Sequence, residues 1–270
     1  MKIPKVWNRK NRILLKELVK TDFRLRYQNS VLGYLWTVLK PMMLFTILYI
    51  VFVQFLHIGN NIPHYAVYLL TGIVLWSFFS EATNQGLQSV LMRGDLLRKI
   101  NFPKYIVVMA ATVSALVNFA FNFVVIIIFA IINGVQFSWT IILVPVFILE
   151  LYILALGLGF LLGAINVKFR DIASIWEVIM QGMFYAVPII WPITMVSANS
   201  ALFAKILLLN PVAQILQDVR YSLVTHDTLT VWNYISNPFV RLIPIIIVAG
   251  ILIVAALYFR KRSKYFAEEV

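Results

Sequence analysis

Six stretches of this chain are apolar over the length needed to cross a bilayer, and that pattern removes most architectures open to 270 residues. A hydrocarbon core ~30 Å thick takes ~20 mostly apolar residues in helical form. The runs 31–56, 65–82, 105–132, 140–167, 172–192 and 242–259 meet that requirement. Lipid offers no hydrogen bonds, so backbone groups must be satisfied inside each segment, and runs of this length are helices. The mean hydropathy of +0.88 and a charged fraction of only 13 % agree. A soluble chain of this size would lack the polar surface to cover such a core. The fold class is therefore all-α and polytopic, with six transmembrane helices.

Charge gives the orientation. Of the 23 Lys and Arg, the segments Lys2–Arg26, Arg93–Lys104, Lys168–Arg170 and Arg260–Lys264 hold 9, 4, 2 and 4. The loops Gly59–Pro63 and Gly134–Ser138 hold none, and the long loop after the fifth span holds only Lys205, Arg220 and Arg241. Basic loops stay on the cytoplasmic side, so both termini are expected there, in a plasma membrane. The net charge of +12 is thus divided among loops. A nucleic-acid binder would gather it on one soluble face, and no nucleic-acid partner is expected.

Residues 1–30 precede the first span and are not expected to be a cleaved signal, because the basic part is long and no small-residue cleavage pattern follows. Over 13–27, Leu14, Leu15, Leu18, Val19 and Leu25 fall on one helical arc, while Lys16, Lys20 and Arg24 fall on another. Such a helix lies in the interface, apolar face in lipid and basic face toward headgroups. Asp22 and Arg26 intrude on the apolar arc at i,i+4 spacing and are expected to pair. The six-span domain then covers 31–270. Pro41 removes one backbone hydrogen bond from the first span, so a kink is expected there. In the last external loop, Ala201–Leu209 and Val212–Leu223 read as short helices split by Asn210–Pro211.

The chemistry available is narrow. There is no cysteine, and His57, His64 and His226 lie far apart, so no metal site is expected. A phosphate loop needs Gly-Lys followed by Ser or Thr, and the chain has no Gly-Lys dipeptide. No cofactor or catalytic residue is expected on this chain; if ATP drives it, ATP and Mg belong to a separate subunit. Arg93, Asp95, Arg98 and Lys99, between spans two and three, fit either a contact with that subunit or an ordinary positive-inside loop. Glu150 falls mid-span, where an acid costs ~2.5–3.5 kcal/mol, so a partner such as Asn118 or Asn122 is expected. Glu81 and Glu177 fall near cytoplasmic ends. Gly157, Gly159 and Gly163 allow close helix approach.

Two aromatic stripes run at helical spacing. Tyr34, Phe45, Tyr49 and Phe52 follow span one, and Trp176, Phe184 and Trp191 follow span five. Aromatic rings stack on the apolar face of a sugar without demanding one geometry. The same stripes also fit helix packing, with Trp36 and Trp191 as interfacial anchors.

Several motifs resemble those of the ABC-2-type polysaccharide exporters. Leu25-Arg26-Tyr27-Gln28-Asn29-Ser30-Val31-Leu32-Gly33-Tyr34-Leu35-Trp36 is similar to the start of their first span. Arg98-Lys99-Ile100-Asn101-Phe102-Pro103-Lys104 resembles the segment before the third, Lys168-Phe169-Arg170-Asp171-Ile172 the start of the fifth, and Leu209-Asn210-Pro211 the outer loop. The resemblance implies a homodimer with two copies of an ATP-binding cassette subunit. It also implies an undecaprenyl-linked polysaccharide of O-antigen, teichoic acid or rhamnan type, moving between the two membrane subunits. Spans one and five would line the channel, the segment before span three would couple to the ATPase, and the outer helices would gate the exit. Arg24 and Arg26, at headgroup depth, would either hold the lipid pyrophosphate or simply anchor the helix among membrane lipids. An exporter of a small amphipathic compound, or a proton-coupled transporter using Glu150, fits the residues without the motifs.

Overall fold

The computed structural model describes residues 9–26, 32–59 and 62–269, with helices and no strand among them. Helix α1 (Arg9–Arg26) lies against α5. The first span runs as one unit from Gly33 to Phe55: a 3-10 turn, then α2 (Trp36–Leu48), then a π-helical run Tyr49–Phe55. The bundle continues with α3 (Tyr65–Met92), α4 (Gly94–Lys99), α5 (Tyr105–Ile132) and α6 (Val144–Asn166). After α7 (Ile172–Ala186) come the shorter helices α8 (Ile193–Asn199), α9 (Ala201–Leu208), α10 (Pro211–Leu223), α11 (Val231–Tyr234) and α12 (Pro238–Arg241). The last span is α13 (Ile243–Arg262), followed by the short α14 (Phe266–Glu269).

Helix α3 is the axis of the bundle. Its apolar residues from Val67 to Phe79 are nearly all removed from the surface, with α5 and α6 packed along it. It also runs ten residues past the expected boundary at 82. The polar stretch after Ala82 reads as a loop in isolation, but Thr83, Gly86, Leu87, Ser89 and Val90 are buried against the neighbouring helices. Backbone contact makes this possible. A Cβ on Gly86 would stand 2.7 Å from the Cα of Gly159, and one on Gly163 would stand 2.9 Å from the Gly86 carbonyl oxygen. The expected close approach through span four is thus observed, with Gly159 and Gly163 against α3 and Gly157 against α13, where a Cβ would stand 3.2 Å from the Leu252 Cα.

The fifth expected span differs. Helix α7 has 15 residues, about 22 Å of rise, which falls short of the core thickness. It stops because Val187 precedes Pro188 and takes an extended conformation, and the chain stays irregular to Pro192. Among the described residues, five helices are long and apolar enough to cross a membrane, and α9 with α10 makes a sixth apolar unit bent by 94°. That bend falls at Asn210–Pro211 as expected. Asn210 caps α10 by accepting from the Val212 N–H at 2.9 Å, and Pro211 takes the first-turn position where its missing N–H costs nothing.

A second cluster joins Val90, Leu97, Val107, Phe259 and Phe266, tying the basic ends of α3, α4, α5 and α13 to α14. The expectation for Gly86 is direct. Gly86→Ala must push α3 from α6, and overpacking of this kind costs ~1–3 kcal/mol. The purified protein in detergent should unfold at a lower temperature than wild type, whereas Gly182→Ala, where a Cβ meets open space, should not shift it.

Candidate functional site: a polar cavity beside the first span

Between α2, α3 and α5 lies a cavity of about 740 Å³. Trp36, Thr37, Lys40 and Leu44 come to it from one face of α2, spaced by the helical repeat. Helix α3 supplies Trp76, Ser77, Ser80, Glu81 and Gln85, and α5 supplies Asn118 and Asn122. The Glu81 carboxylate accepts from Gln85 Nε2 at 2.7 Å and from Asn118 Nδ2 at 2.6 Å. Lys40 forms no ion pair among the described residues, while Asn118 Oδ1 and Asn122 Oδ1 are buried without a hydrogen-bond partner.

Asn122 also explains how the first span passes its proline. Pro41 has no N–H for the Thr37 carbonyl four residues earlier, and in lipid that acceptor needs a donor. Asn122 Nδ2 supplies it at 3.1 Å from across the cavity. The helix therefore runs through Pro41 without a break, and the irregular geometry appears at Tyr49–Phe55 instead of at the proline.

At the other end of the bundle, Arg220 on α10 is fully buried and meets carbonyls where a carboxylate partner would be the ordinary choice. Its Nε donates to the Tyr68 carbonyl at 3.0 Å and Nη2 to that of Ile189 at 2.6 Å. Nη1 serves the Pro188 carbonyl and Gln217 Oε1. The guanidinium carbon sits 3.6 Å from the centre of the Tyr68 ring, a close cation–π contact. Tyr65 donates its hydroxyl to the Ile190 carbonyl. The three carbonyls freed where α7 breaks are thus collected by two side chains. Gly72 is obligatory here, since a Cβ would lie 2.1 Å from Arg220 Nη2.

On the basic side, Arg93 at the α3–α4 junction forms an ion pair with Asp22 of α1. Ser114 Oγ donates to the other Asp22 oxygen at 3.4 Å, and Asn11 reaches the Tyr105 hydroxyl at 3.4 Å. Helix α1 is therefore docked on the bundle as well as amphipathic.

A family model described as ABC-2 type transporter matches residues 13–224. The chain belongs to the ABC-2 type transporter family. It is similar to the O-antigen export system permease protein RfbA of Myxococcus xanthus, 29 % identical over 260 residues that span 95 % of each chain. A protein of the same name from Klebsiella pneumoniae is 28 % identical over 225 residues, covering 83 % of this chain and 84 % of that one. This ABC-2 chain is accordingly a multi-pass membrane transporter subunit.

In the ABC-2 subunit, several sequence expectations change partners. Asp22 joins Arg93 of the α3–α4 junction; the expected Asp22–Arg26 pair rests on a side chain outside the described residues. Asn118 and Asn122 serve Glu81 and Thr37, so they do not clasp Glu150. Glu150 instead faces Gln214 of α10, whose Nε2 bonds Asp218. Glu81, read as a residue near a cytoplasmic end, is an inter-helix clasp in the cavity.

The aromatic stripes are split by packing. Phe45 meets Tyr49 and Phe129, Phe184 meets Trp76, and Phe52 packs on the main core. Trp176 is buried with its Nε1 donating to Thr83 Oγ1 at 3.3 Å, and Trp191 Nε1 donates to the Tyr185 carbonyl at 3.0 Å. Tyr34 alone of the seven is well exposed, beside Phe23. Asp95, Arg98 and Lys99 are exposed on α4, whereas Arg93 is partly buried. Arg24 is exposed on α1; the side chain of Arg26 lies outside the described residues.

Arg220 yields a sharp expectation. Arg220→Lys keeps the charge but loses the planar fork that reaches three carbonyls, and each buried acceptor left bare costs ~1–3 kcal/mol. Both Arg220→Lys and Arg220→Met should lower the detergent melting temperature strongly, with Lys no better than Met. Rescue by Lys would show that charge, and not the fork, holds the α7 break.

Proposed function

We propose that this chain is the membrane-spanning subunit of an ATP-driven exporter for a lipid-linked cell-surface polysaccharide. The carrying observation is its similarity, over nearly the whole length, to two permeases named for O-antigen export. In this reading the chain works as a homodimer with two copies of an ATP-binding cassette subunit, which bind ATP and Mg. The polymer is O-antigen-like and carried on an undecaprenyl pyrophosphate lipid, with teichoic acid and rhamnan as the neighbouring chemical types. Both termini face the cytoplasm of a bacterial cell, because the basic clusters fall on that side.

The ATPase contact is assigned to α4. Leu97 turns inward to the second core cluster, leaving Asp95, Arg98 and Lys99 outward. Arg93 contributes from behind, because its ion pair with Asp22 fixes α4 relative to α1. Interface charges set register and partner choice, and losing one side of a desolvated pair costs ~2–5 kcal/mol. The test is reconstitution with an ATP-binding cassette subunit that co-purifies with the chain. Reversing Arg98 and Lys99 to Glu should lower ATPase association by at least about tenfold. Cells lacking the permease should hold the finished polymer inside. Wild-type association in the reversed protein would remove the α4 assignment, and surface polymer in the deletion strain would remove the exporter reading.

Arg24 and Arg26 are proposed to contact the lipid pyrophosphate where α1 ends. A guanidinium fork matches phosphate oxygens, whereas lysine retains only the ~1 kcal/mol of general headgroup attraction. Lysine at either position should reduce export at equal membrane abundance. Unchanged export in both variants would leave only anchoring.

A further inference from the structure

We propose that α14 is a positioning element of the ATPase contact, holding α4 in the pose that presents Asp95, Arg98 and Lys99, so that α4 and α14 form one docking surface for the ATP-binding cassette subunit. The identity of the partner rests on the α4 assignment above; the hold of α14 on α4 rests on packing alone.

Helix α4 is too short to keep its own shape. Its six residues make fewer than two turns, and isolated helices below ~12–15 residues are marginal in water. No side chain caps its first turn, and Leu97 is its one buried side chain. Arg93 ties its start to α1 through Asp22. The rest of its hold is apolar. Leu97 enters the cluster of Val90, Val107 and Phe259, and the helix that α4 packs on most there is α14.

Helix α14 brings one fully buried side chain to the same cluster, Phe266. Its ring stands edge-on to Phe259 of α13, with centroids 5.3 Å apart. Lys104, just ahead of α5, places its Nζ 5.9 Å from the centre of the Phe266 ring, within cation–π range. Phe266 thus joins the segment that follows α4 to the end of the last span. The return of the chain is clamped as well. Arg262 Nη2 donates to both carboxylate oxygens of Glu269 at 3.0 Å, closing the turn between α13 and α14.

A segment that served only to anchor the chain among headgroups would turn its rings outward. Tyr265 does so, but Phe266 beside it is turned inward, toward the cluster that holds Leu97. The exposed charge on this surface is mainly basic, with Arg98, Lys99, Lys261 and Lys264 against Asp95, while Glu269 is spent on Arg262. The complementary face of the cassette subunit is therefore acidic.

Two measurements on the full chain in nanodiscs test this: hydrogen exchange at the Leu97 and Ile100 amides, which bond the Arg93 and Leu96 carbonyls, and affinity for the co-purifying cassette subunit. Phe266→Ala should speed that exchange and weaken association, each by about tenfold or more, with the α3 amides still protected. Phe266→Leu keeps an apolar side chain of similar size and should stay within about threefold on both. Arg262→Gln should move both in the same direction as Phe266→Ala. Unchanged α4 exchange in Phe266→Ala and Arg262→Gln would overturn the proposal and leave α14 a membrane anchor. If Phe266→Ala exposes the α3 amides too, the bundle itself has opened, and unchanged α4 exchange in Arg262→Gln alone would then overturn it. Faster α4 exchange with wild-type association, where reversing Arg98 and Lys99 still weakens the complex, would overturn the part given to α14 and leave α4 as the contact. Wild-type association in the reversed protein and in Phe266→Ala alike would overturn both.

Discussion

A polar group carried into hydrocarbon has only the protein to bond with, and in this subunit that constraint decides where helices break and where they do not. Pro41 leaves the Thr37 carbonyl without its helical donor; Asn122 supplies one from α5, and the helix continues. Pro188 and Pro192 interrupt α7 outright, and Arg220 and Tyr65 gather the freed carbonyls. The same residue type, proline, thus gives opposite outcomes. One amide can serve one orphan carbonyl, but of the three in a row here two go to the planar, multi-donor guanidinium of Arg220 and the third to the Tyr65 hydroxyl. Gly72 is the matching concession on α3, because the guanidinium occupies the space of its missing Cβ.

This is also why the sequence was legible at one level and opaque at another. The long apolar helices and their order depend on sums over ~20 residues, which any one chain displays. The boundaries at Tyr105, Ile132 and Asn166 fall within a residue of those expected. So does the bend at Asn210–Pro211, because its cause is local chemistry. What could not be read was partner identity. Asp22 meets Arg93, 71 positions away, a partner that no local spacing announces. Asn118 looks as suited to Glu150 as to Glu81, and only the packing of α3 against α5 settles it. Arg220 did carry a signal, as the single basic residue of α10, set among Gln214, Gln217 and Asp218 on a helix whose other positions are mainly Val, Ile and Leu. The polar run Ser80 to Gln88 likewise carried Thr83 and Gly86 at helical spacing, continuing the face of α3.

The aromatic stripes show how periodicity underdetermines function. A stripe at i, i+3 and i+4 marks one face of a helix without saying what covers it. In α2 and α7 that face turns to the neighbouring helices, so Phe45, Phe184 and Trp176 act as packing rings. The opposite face of α2 is aliphatic, with Leu35, Met43, Ile47 and Ile50 exposed. Polar function on α2 is consequently confined to the short sector of Trp36, Thr37 and Lys40 that borders the cavity.

That sector ties the cavity to the proline. Helix α3 is held by backbone contact with α6 through Gly86, Gly159 and Gly163, an arrangement with little room to shift. Helix α2 has no residue removed from the surface, and along its first two turns its polar attachment to the bundle is the Asn122 amide. Pulling α2 in as tightly as α6 would close the gap between Lys40 and Glu81. The missing N–H of Pro41 instead fixes α2 at the reach of an asparagine side chain, and the space so created is the cavity. The bond that lets the span pass its proline also turns the Asn122 N–H₂ group to the Thr37 and Asn118 carbonyls, so its Oδ1 is left bare. Structural repair and unspent hydrogen-bonding capacity are two ends of one side chain.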